Sequence, residues 1–320
     1  MVAEATSAIR RLIENVERVI AGSRPAVEAA AICLFAEGNL LLEGVPGVGK
    51  TMLARALARS IGGTFRRVQA TPDLLPSDLT GISVYDQERH EFRFVPGPLF
   101  ANVVLIDEIN RTTPRTQSAL FEPMEERQVT VDGVTRELPA PFLLIATQNP
   151  VAHYGTYPLP EGQLDRFAMA VDLRYPDRVG AREVVTRQMV RHPIADIEPV
   201  VEVAEVVRYQ HEVRRVHVEP SVIDYAVGLV EATRSHPDVA LGASPRAALW
   251  VVRCAQARAA ARGRQYVLPD DVKALAPSVL AHRLLLTGHH TSDQEAARGA
   301  VERVLREVPV PVPLGPNGQS

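Results

Sequence analysis

The sequence predicts an α/β domain built on a parallel β-sheet and followed by an all-helical domain. Three observations carry that prediction. Apolar runs alternate with amphipathic stretches as far as about Leu173, the pattern of a sheet whose two faces are both covered by helices. A glycine-rich loop stands between an apolar run and an amphipathic stretch: Gly44, Val45, Pro46, Gly47, Val48, Gly49, Lys50 and Thr51 spell G-x-x-x-x-G-K-T. Beyond about residue 175, periodicity becomes helical, over 222–232, 247–261 and 270–286.

In chain order, Ile9, Leu12, Ile13, Val16, Val19 and Ile20 recur at helical spacing, and Gly22 is placed to end that helix. Residues 26–36 read as a second, largely buried helix, and Leu40, Leu41 and Leu42 as the first strand. A helix over 52–61 follows the glycine-rich loop and stops at Gly62-Gly63, after which 64–69 reads as a strand. Ser83, Val84 and Tyr85 pair with Phe92, Arg93, Phe94 and Val95 as one hairpin. A second joins 128–131 to 134–136 through Asp132-Gly133, a strong two-residue turn signal. Residues 103–106 and 142–146 are continuous apolar runs, as expected of strands buried on both faces. Tyr175, Pro176 and Asp177 form the joint. The expected division is a nucleotide-binding αβα unit over 1–175, a helical lid over 176–310 and a flexible tail over 311–320.

The chain has 320 residues, 46% of them hydrophobic and 23% charged, with a net charge of −3. Nothing in that balance announces a nucleic acid or an anionic membrane as partner. Cys33 and Cys254 lie far apart in apolar helical patterns without metal-ligand spacing, so neither zinc nor a structural disulfide is expected. No apolar run reaches membrane-spanning length, and residues 1–22 are charged and amphipathic, unlike a secretory signal. The expected location is the cytoplasm.

The chemistry starts at the glycine-rich loop. Its glycines let successive backbone N–H groups curl around a phosphate at a helix N-terminus. Lys50 then reaches the β- and γ-phosphates of a nucleoside triphosphate, and the Thr51 hydroxyl ligates Mg²⁺. Lys50 and Lys273 are the only lysines among 35 basic side chains, so an arginine-using chain keeps a lysine here. Asp107 and Glu108 stand at the carboxyl end of the 103–106 strand, where ligands of parallel sheets bind. Asp107 is placed to hold Mg²⁺, and Glu108 to activate an attacking water. Asn149, past the 142–146 strand, either orients that water and senses the γ-phosphate or is a turn residue before Pro150.

The order of these elements, with an arginine after an acidic segment, resembles the AAA+ ATPases, and further blocks resemble their MoxR branch. Those blocks are Leu42-Glu43-Gly44-Val45-Pro46-Gly47, Thr71-Pro72-Asp73-Leu74-Leu75-Pro76-Ser77-Asp78, Pro96-Gly97-Pro98-Leu99-Phe100 and Asp107-Glu108-Ile109-Asn110-Arg111. Gly155-Thr156-Tyr157-Pro158-Leu159-Pro160-Glu161 and Gln163-Leu164-Asp165-Arg166-Phe167 complete them, and the likeness runs from about Ile9 to Pro313. Asn39 departs from the pattern, which usually has a histidine before the first strand. The resemblance implies an AAA+ core with hairpin inserts and a helical lid, and a homo-oligomeric ring, hexameric in expectation, with ATP and Mg²⁺ between subunits. It implies that Arg166 is an arginine finger reaching the neighbour's γ-phosphate. The competing reading is a surface arginine paired with Asp165. It further implies that Arg246, in Gly242-Ala243-Ser244-Pro245-Arg246, is the second sensor through which the lid feels the nucleotide. Arg111 touches either the neighbouring subunit or an adjacent carboxylate. The hairpins match the inserts shared with magnesium chelatase ATPase subunits; Tyr85, Phe92 and Phe94 serve either a substrate or packing.

The function expected is therefore an ATPase (ATP and water to ADP and phosphate) acting as a chaperone-like remodeller of a protein client. The resemblance implies a client carrying a von Willebrand factor A domain. The alternatives are a nucleic-acid-stimulated ring motor, disfavoured by the net charge, a metal-chelatase motor subunit, and a small P-loop kinase. Three features are set aside: His289-His290 as a solvated loop, His282-Arg283 as packing and surface within the last helix, and Arg66-Arg67 as too short a basic patch for nucleic acid.

Overall fold

The structure is a computed structural model, and it describes residues 2–20, 22–45, 47–148, 156–173, 175, 177–189, 193–288 and 294–311. Two helices lead: α1 (Val2–Glu17) buries Ala5, Ile9, Leu12, Ile13 and Val16 along one face, and α2 (Arg24–Phe35) opens with Pro25 in its first turn. The first helix ends at Glu17 rather than at Gly22. Val19 and Ile20 are still buried, but in a turn whose amides bond back to Val16.

Strand β1 (Leu40–Glu43) runs into the glycine-rich loop and α3 (Lys50–Ser60), then β2 (Phe65–Gln69) and the short α4 (Pro76–Thr80). Strands β3 (Gly81–Asp86) and β4 (Glu91–Pro96) form the first hairpin, and β5 (Val103–Asp107) returns to the main sheet. After α5 (Pro114–Ser118) and α6 (Phe121–Glu126), β6 (Gln128–Val131) and β7 (Val134–Glu137) form the second hairpin. Asp132 and Gly133 take φ of 53° and 74°, the two left-handed residues of the expected tight turn. Strand β8 (Leu143–Gln148), α7 (Glu161–Leu164) and β9 (Met169–Asp172) complete the first half. The second half is helical: α8 (Arg178–Gln188), α9 (Val203–Val213), α10 (Pro220–Ser235), then a short β10 (Val239–Leu241), α11 (Pro245–Ala261), α12 (Pro269–Leu280), β11 (Leu285–Leu286) and α13 (Gln294–Glu307).

The main sheet has strand order β2-β5-β8-β1-β9, every pair parallel. Its strands alternate between two cores, as a period of two requires. Leu40, Leu42, Val103, Leu105, Leu143 and Ile145 face the core that α1, α2, α3 and the later helices fill. Leu41, Val104, Ile106, Leu144 and Ala146 face a smaller core with Leu79, Leu99, Leu120 and Met124. Burial on both faces is why these strands read as unbroken apolar runs.

One expected element is corrected. The helix expected over 270–286 ends at Leu280. Residues 281–283 form a 3₁₀ turn, and Leu285–Leu286 pairs antiparallel with Val239–Leu241. Leucines at consecutive positions satisfy a helical pattern, but here Leu284 and Leu286 are buried and Leu285 only partly so, the alternation of a strand. The helical half therefore carries a two-stranded ribbon. Helices α8, α9 and α13 were not singled out by periodicity, although Ala297, Ala300, Val301 and Val304 bury one face of α13.

Candidate functional site

All five strands point their carboxyl ends one way, and the first cluster of polar side chains collects there. Gly44 has φ of 134°, and a Cβ on it would stand 2.3 Å from the Leu173 carbonyl oxygen just past β9, so only glycine fits. Val45, Gly47, Val48 and Gly49 complete the described part of the loop; Pro46 lies outside the described residues. Gly47 and Gly49 both take left-handed φ (85° and 97°), which turns the backbone into α3. Lys50, the first residue of α3, is 9% exposed and donates from Nζ to the Gly44 carbonyl at 2.6 Å. Burial lowers its pKa, while Asp107, Glu108, Asp172 and Glu43 hold it up. Thr51 follows in the same turn, partly buried.

Asp107 ends β5 beside that loop. Thr147, on β8, donates from Oγ1 to Asp107 Oδ1 at 2.6 Å, and Arg67, on β2, donates to Oδ2 at 2.7 Å. Three adjacent strands thus fix one carboxylate. Glu108 sits at a left-handed φ of 58°, a conformation that costs a non-glycine residue on the order of 1 kcal/mol or more. Its amide donates to Thr147 Oγ1 at 2.8 Å, which pins the strained turn. Its carboxylate takes Gln69 Nε2 at 3.2 Å and Arg111 Nη1 at 2.9 Å. Arg111 therefore pairs with the adjacent carboxylate of its own chain, one of the two alternatives. Asn149 lies outside the described residues.

The other two expected site residues are elsewhere. Arg166 precedes β9, and its carbonyl accepts from Asn39 Nδ2 at 3.5 Å, the residue just before β1. Both belong to the amino end of the sheet. From Asn39 to Gly44 is about 16 Å at roughly 3.3 Å per residue. The Arg166 guanidinium lies over the Phe121 ring (4.2 Å), bonds the Gly162 carbonyl and stands 2.8 Å from Glu125 Oε1. Arg246, at the start of α11, is 2.6 Å from the same oxygen and 4.0 Å from Asp165 Oδ2. The ion partner of Arg166 is thus Glu125; Asp165 is engaged by Ser244 Oγ and Arg283 Nε, both at 2.9 Å. The fold brings Arg166 and Arg246 together, at the end of the sheet away from Lys50.

Several neighbours escaped sequence reasoning. Thr147 and Gln69 stand at strand carboxyl ends, the positional signal that marked Asp107, and Arg67 was weighed only as half of a basic pair. Glu125 gave no signal of its own. His282 and Arg283 stand in the 3₁₀ turn past α12 and are buried, so they serve packing and not the surface. Burial and the Arg283 charge push the His282 pKa well down, and burial brings Arg283 to about 10. Both cysteines are free and buried, and burial pushes the Cys254 thiol up to about 12. The hairpin aromatics divide: Phe94 packs on Phe100 and under Arg136 of the other hairpin, while Phe92 is 73% exposed, edge-on to Tyr85. Among the described residues no helix is long and apolar enough to cross a membrane.

A glycine-lined phosphate loop on a parallel sheet, with an acidic pair beside it, defines a P-loop ATPase core. Residues 39–169 match the family described as ATPase family associated with various cellular activities (AAA), and residues 231–307 match the AAA lid domain. The chain is 42% identical to Chaperone MoxR1 of Mycobacterium tuberculosis over 95% of its own length and 82% of the relative's. It is 30% identical to Protein MoxR of Methylorubrum extorquens (97% of each chain) and 47% identical to YeaC, an uncharacterised protein of Bacillus subtilis (94% of each). A solved structure of a candidate ATPase from Cytophaga hutchinsonii superposes with a TM-score of 0.88 at 38% identity, covering 97% of both chains. The chain belongs to the MoxR family of AAA+ ATPases.

Proposed function

We propose that the protein hydrolyses ATP between neighbouring copies of the chain and uses the cycle to remodel a protein partner. The observation that carries this reading is the separation of the two polar clusters. Lys50, Asp107 and Glu108 lie at the carboxyl end of the sheet, Arg166 and Arg246 at its amino end. Neither arginine reaches the phosphate loop of its own chain, so a site using all five residues needs two copies. Head-to-tail contacts of that kind form a ring when their rotation closes and an open filament when it does not, and the family resemblance points to a ring of six subunits.

Gly44 to Thr51 cradle the phosphates, and Lys50, on breaking its bond to the Gly44 carbonyl, neutralises the β- and γ-oxygens. Glu108 takes the proton of the attacking water, and Asn149 orients that water. Arg166 and Arg246 of the adjacent copy offset charge spread over the transferring phosphoryl group. Thr51 and Asp107 would hold Mg²⁺ through the hard oxygen donors that suit it, and the ion would supply positive charge against the phosphates. The 176–310 lid, through Arg246, passes the state of the site to the client. The chaperone name of the mycobacterial relative supports a remodelling role, and the resemblance points to a von Willebrand factor A domain protein as client, in the cytoplasm.

The test is mixing. Lys50→Ala and Arg166→Ala, each inactive alone, should recover hydrolysis together, because a mixed interface joins an intact phosphate loop to an intact arginine. No recovery at any ratio would count against an interfacial site.

A further inference from the structure

Two guanidiniums converge on one carboxylate oxygen. Glu125 Oε1, on α6, stands 2.8 Å from Arg166 Nε and 2.6 Å from Arg246 Nη1. Paired arginines on a single anionic oxygen are the arrangement that binds a terminal phosphate. We propose that Glu125 is a built-in competitor, occupying in a lone protomer the place that the neighbour's terminal phosphate takes on assembly. The proposal rests on the interfacial reading above.

The surroundings are arranged for an anion larger than a carboxylate. A cleft of about 380 Å³ opens beside the pair, lined also by Arg127, Arg214 and Arg253, with Glu37 and Glu125 its only acids among the described residues. Glu37 is held by Arg214 at 2.5 Å. Arg253 lies 5.6 Å from the centroid of the Trp250 ring and has no carboxylate within ion-pair distance among the described residues. Asp165 does not substitute for Glu125, because Ser244 and Arg283 already engage it. Five guanidiniums against two carboxylates leave the cleft short of negative charge, and a phosphate carries more of it than Glu125 does.

The two partners also differ in freedom. Arg166 is fixed by its stack on Phe121 and its bond to the Gly162 carbonyl, and its side chain is 22% exposed. The Glu125 side chain is 33% exposed and reachable by solvent. The carboxylate can swing out while Arg166 stays and the more exposed Arg246 follows the incoming anion, so exchange of one anion for another needs no rearrangement of the fold. Glu125 then keeps the pair ordered and neutralised until a nucleotide-loaded neighbour arrives.

Trp250, the chain's single tryptophan, lines the cleft and gives a local readout. The probe is inorganic pyrophosphate, titrated into full-length Lys50→Ala protein so that the phosphate loop does not compete. Adding Glu125→Gln should lower the half-saturating pyrophosphate concentration at least fivefold by Trp250 fluorescence, and adding Arg246→Ala should remove the response. Glu126→Gln, which deletes a charge on the same helix away from the pair, should shift it less than twofold. Equal half-saturation with and without Glu125, or an equal shift from Glu126→Gln, would overturn the proposal. The mixing experiment fails separately: without recovery there the interface falls, whatever pyrophosphate does here.

Discussion

Glu43 should make the folded protein less stable as pH rises from about 4.5 to 7, and replacing it with glutamine should remove that loss. It closes β1 with only 4% of its surface exposed, and across the sheet its register partner on β9 is a second acid, Asp172. Burial raises its pKa from the ordinary 4.5 to about 7; Asp172 adds to the rise, while Arg298, Gln294 and Lys50 oppose it. The unfolded chain gives up this proton near 4.5 and the folded chain near 7, so below 4.5 the group is neutral in both states and contributes no pH dependence. Between those values only the unfolded state ionises, and stability drains away; above about 7 the loss is complete. At about 1.36 kcal/mol per pH unit the interval is worth about 3 kcal/mol. Urea unfolding of wild type and Glu43→Gln, followed by Trp250 fluorescence at half-unit steps from pH 4 to 8, isolates the term, because other titrations cancel in the difference. The stability difference, variant minus wild type, should climb by about 3 kcal/mol across that window and then level. A flat difference would refute the raised pKa. One that falls with pH would mean that Arg298 and Lys50 outweigh burial and hold the carboxylate ionised.

The remaining predictions concern the site. Glu108→Gln should retain ATP binding while lowering turnover by about 10² or more, and should hold the assembled, ATP-bound form by size-exclusion chromatography; normal turnover would remove Glu108 as the base. Lys50→Ala should abolish tight ATP binding by calorimetry, since the only lysine near the loop is lost. Thr147→Val strips Asp107 Oδ1 of a donor and orphans the Glu108 amide; each charge-assisted or buried bond is worth about 1.5–3 kcal/mol, so the melting temperature by calorimetry should fall by several degrees and turnover of the folded protein about tenfold. Specific activity should rise with protein concentration, because a lone chain holds half a site, and a constant value would contradict the interface.

How much of this could be read from the chain alone follows from where the chemistry sits along it. The phosphate loop is eight consecutive residues whose meaning depends on local context, and that context, a strand before and a helix after, was legible. Asp107 and Glu108 were legible for a related reason: a run buried on both faces must be a strand, and a parallel strand's carboxyl end faces ligand. Thr147 obeys the same rule and was passed over because a threonine carries no charge to attract notice. The amino-end cluster is different in kind. Its parts come from α6, from the turn before β9 and from the start of α11, and no spacing between residues 125, 166 and 246 encodes their meeting. Glu125 in particular is one acid in a Glu-rich helix until two arginines are seen to share its oxygen. The 281–286 segment failed for the opposite reason: local periodicity was plain, but pairing with residues 239–241 overrode it. Strand direction connects the two ends. Once β1 and β9 are known to be parallel neighbours, a residue before each lies at one end of the sheet and a residue after each at the other. Arg166 before β9 and Lys50 after β1 then cannot serve one phosphate within one chain. That relation, rather than any single motif, is what supports the proposal that a second subunit takes part in the chemistry.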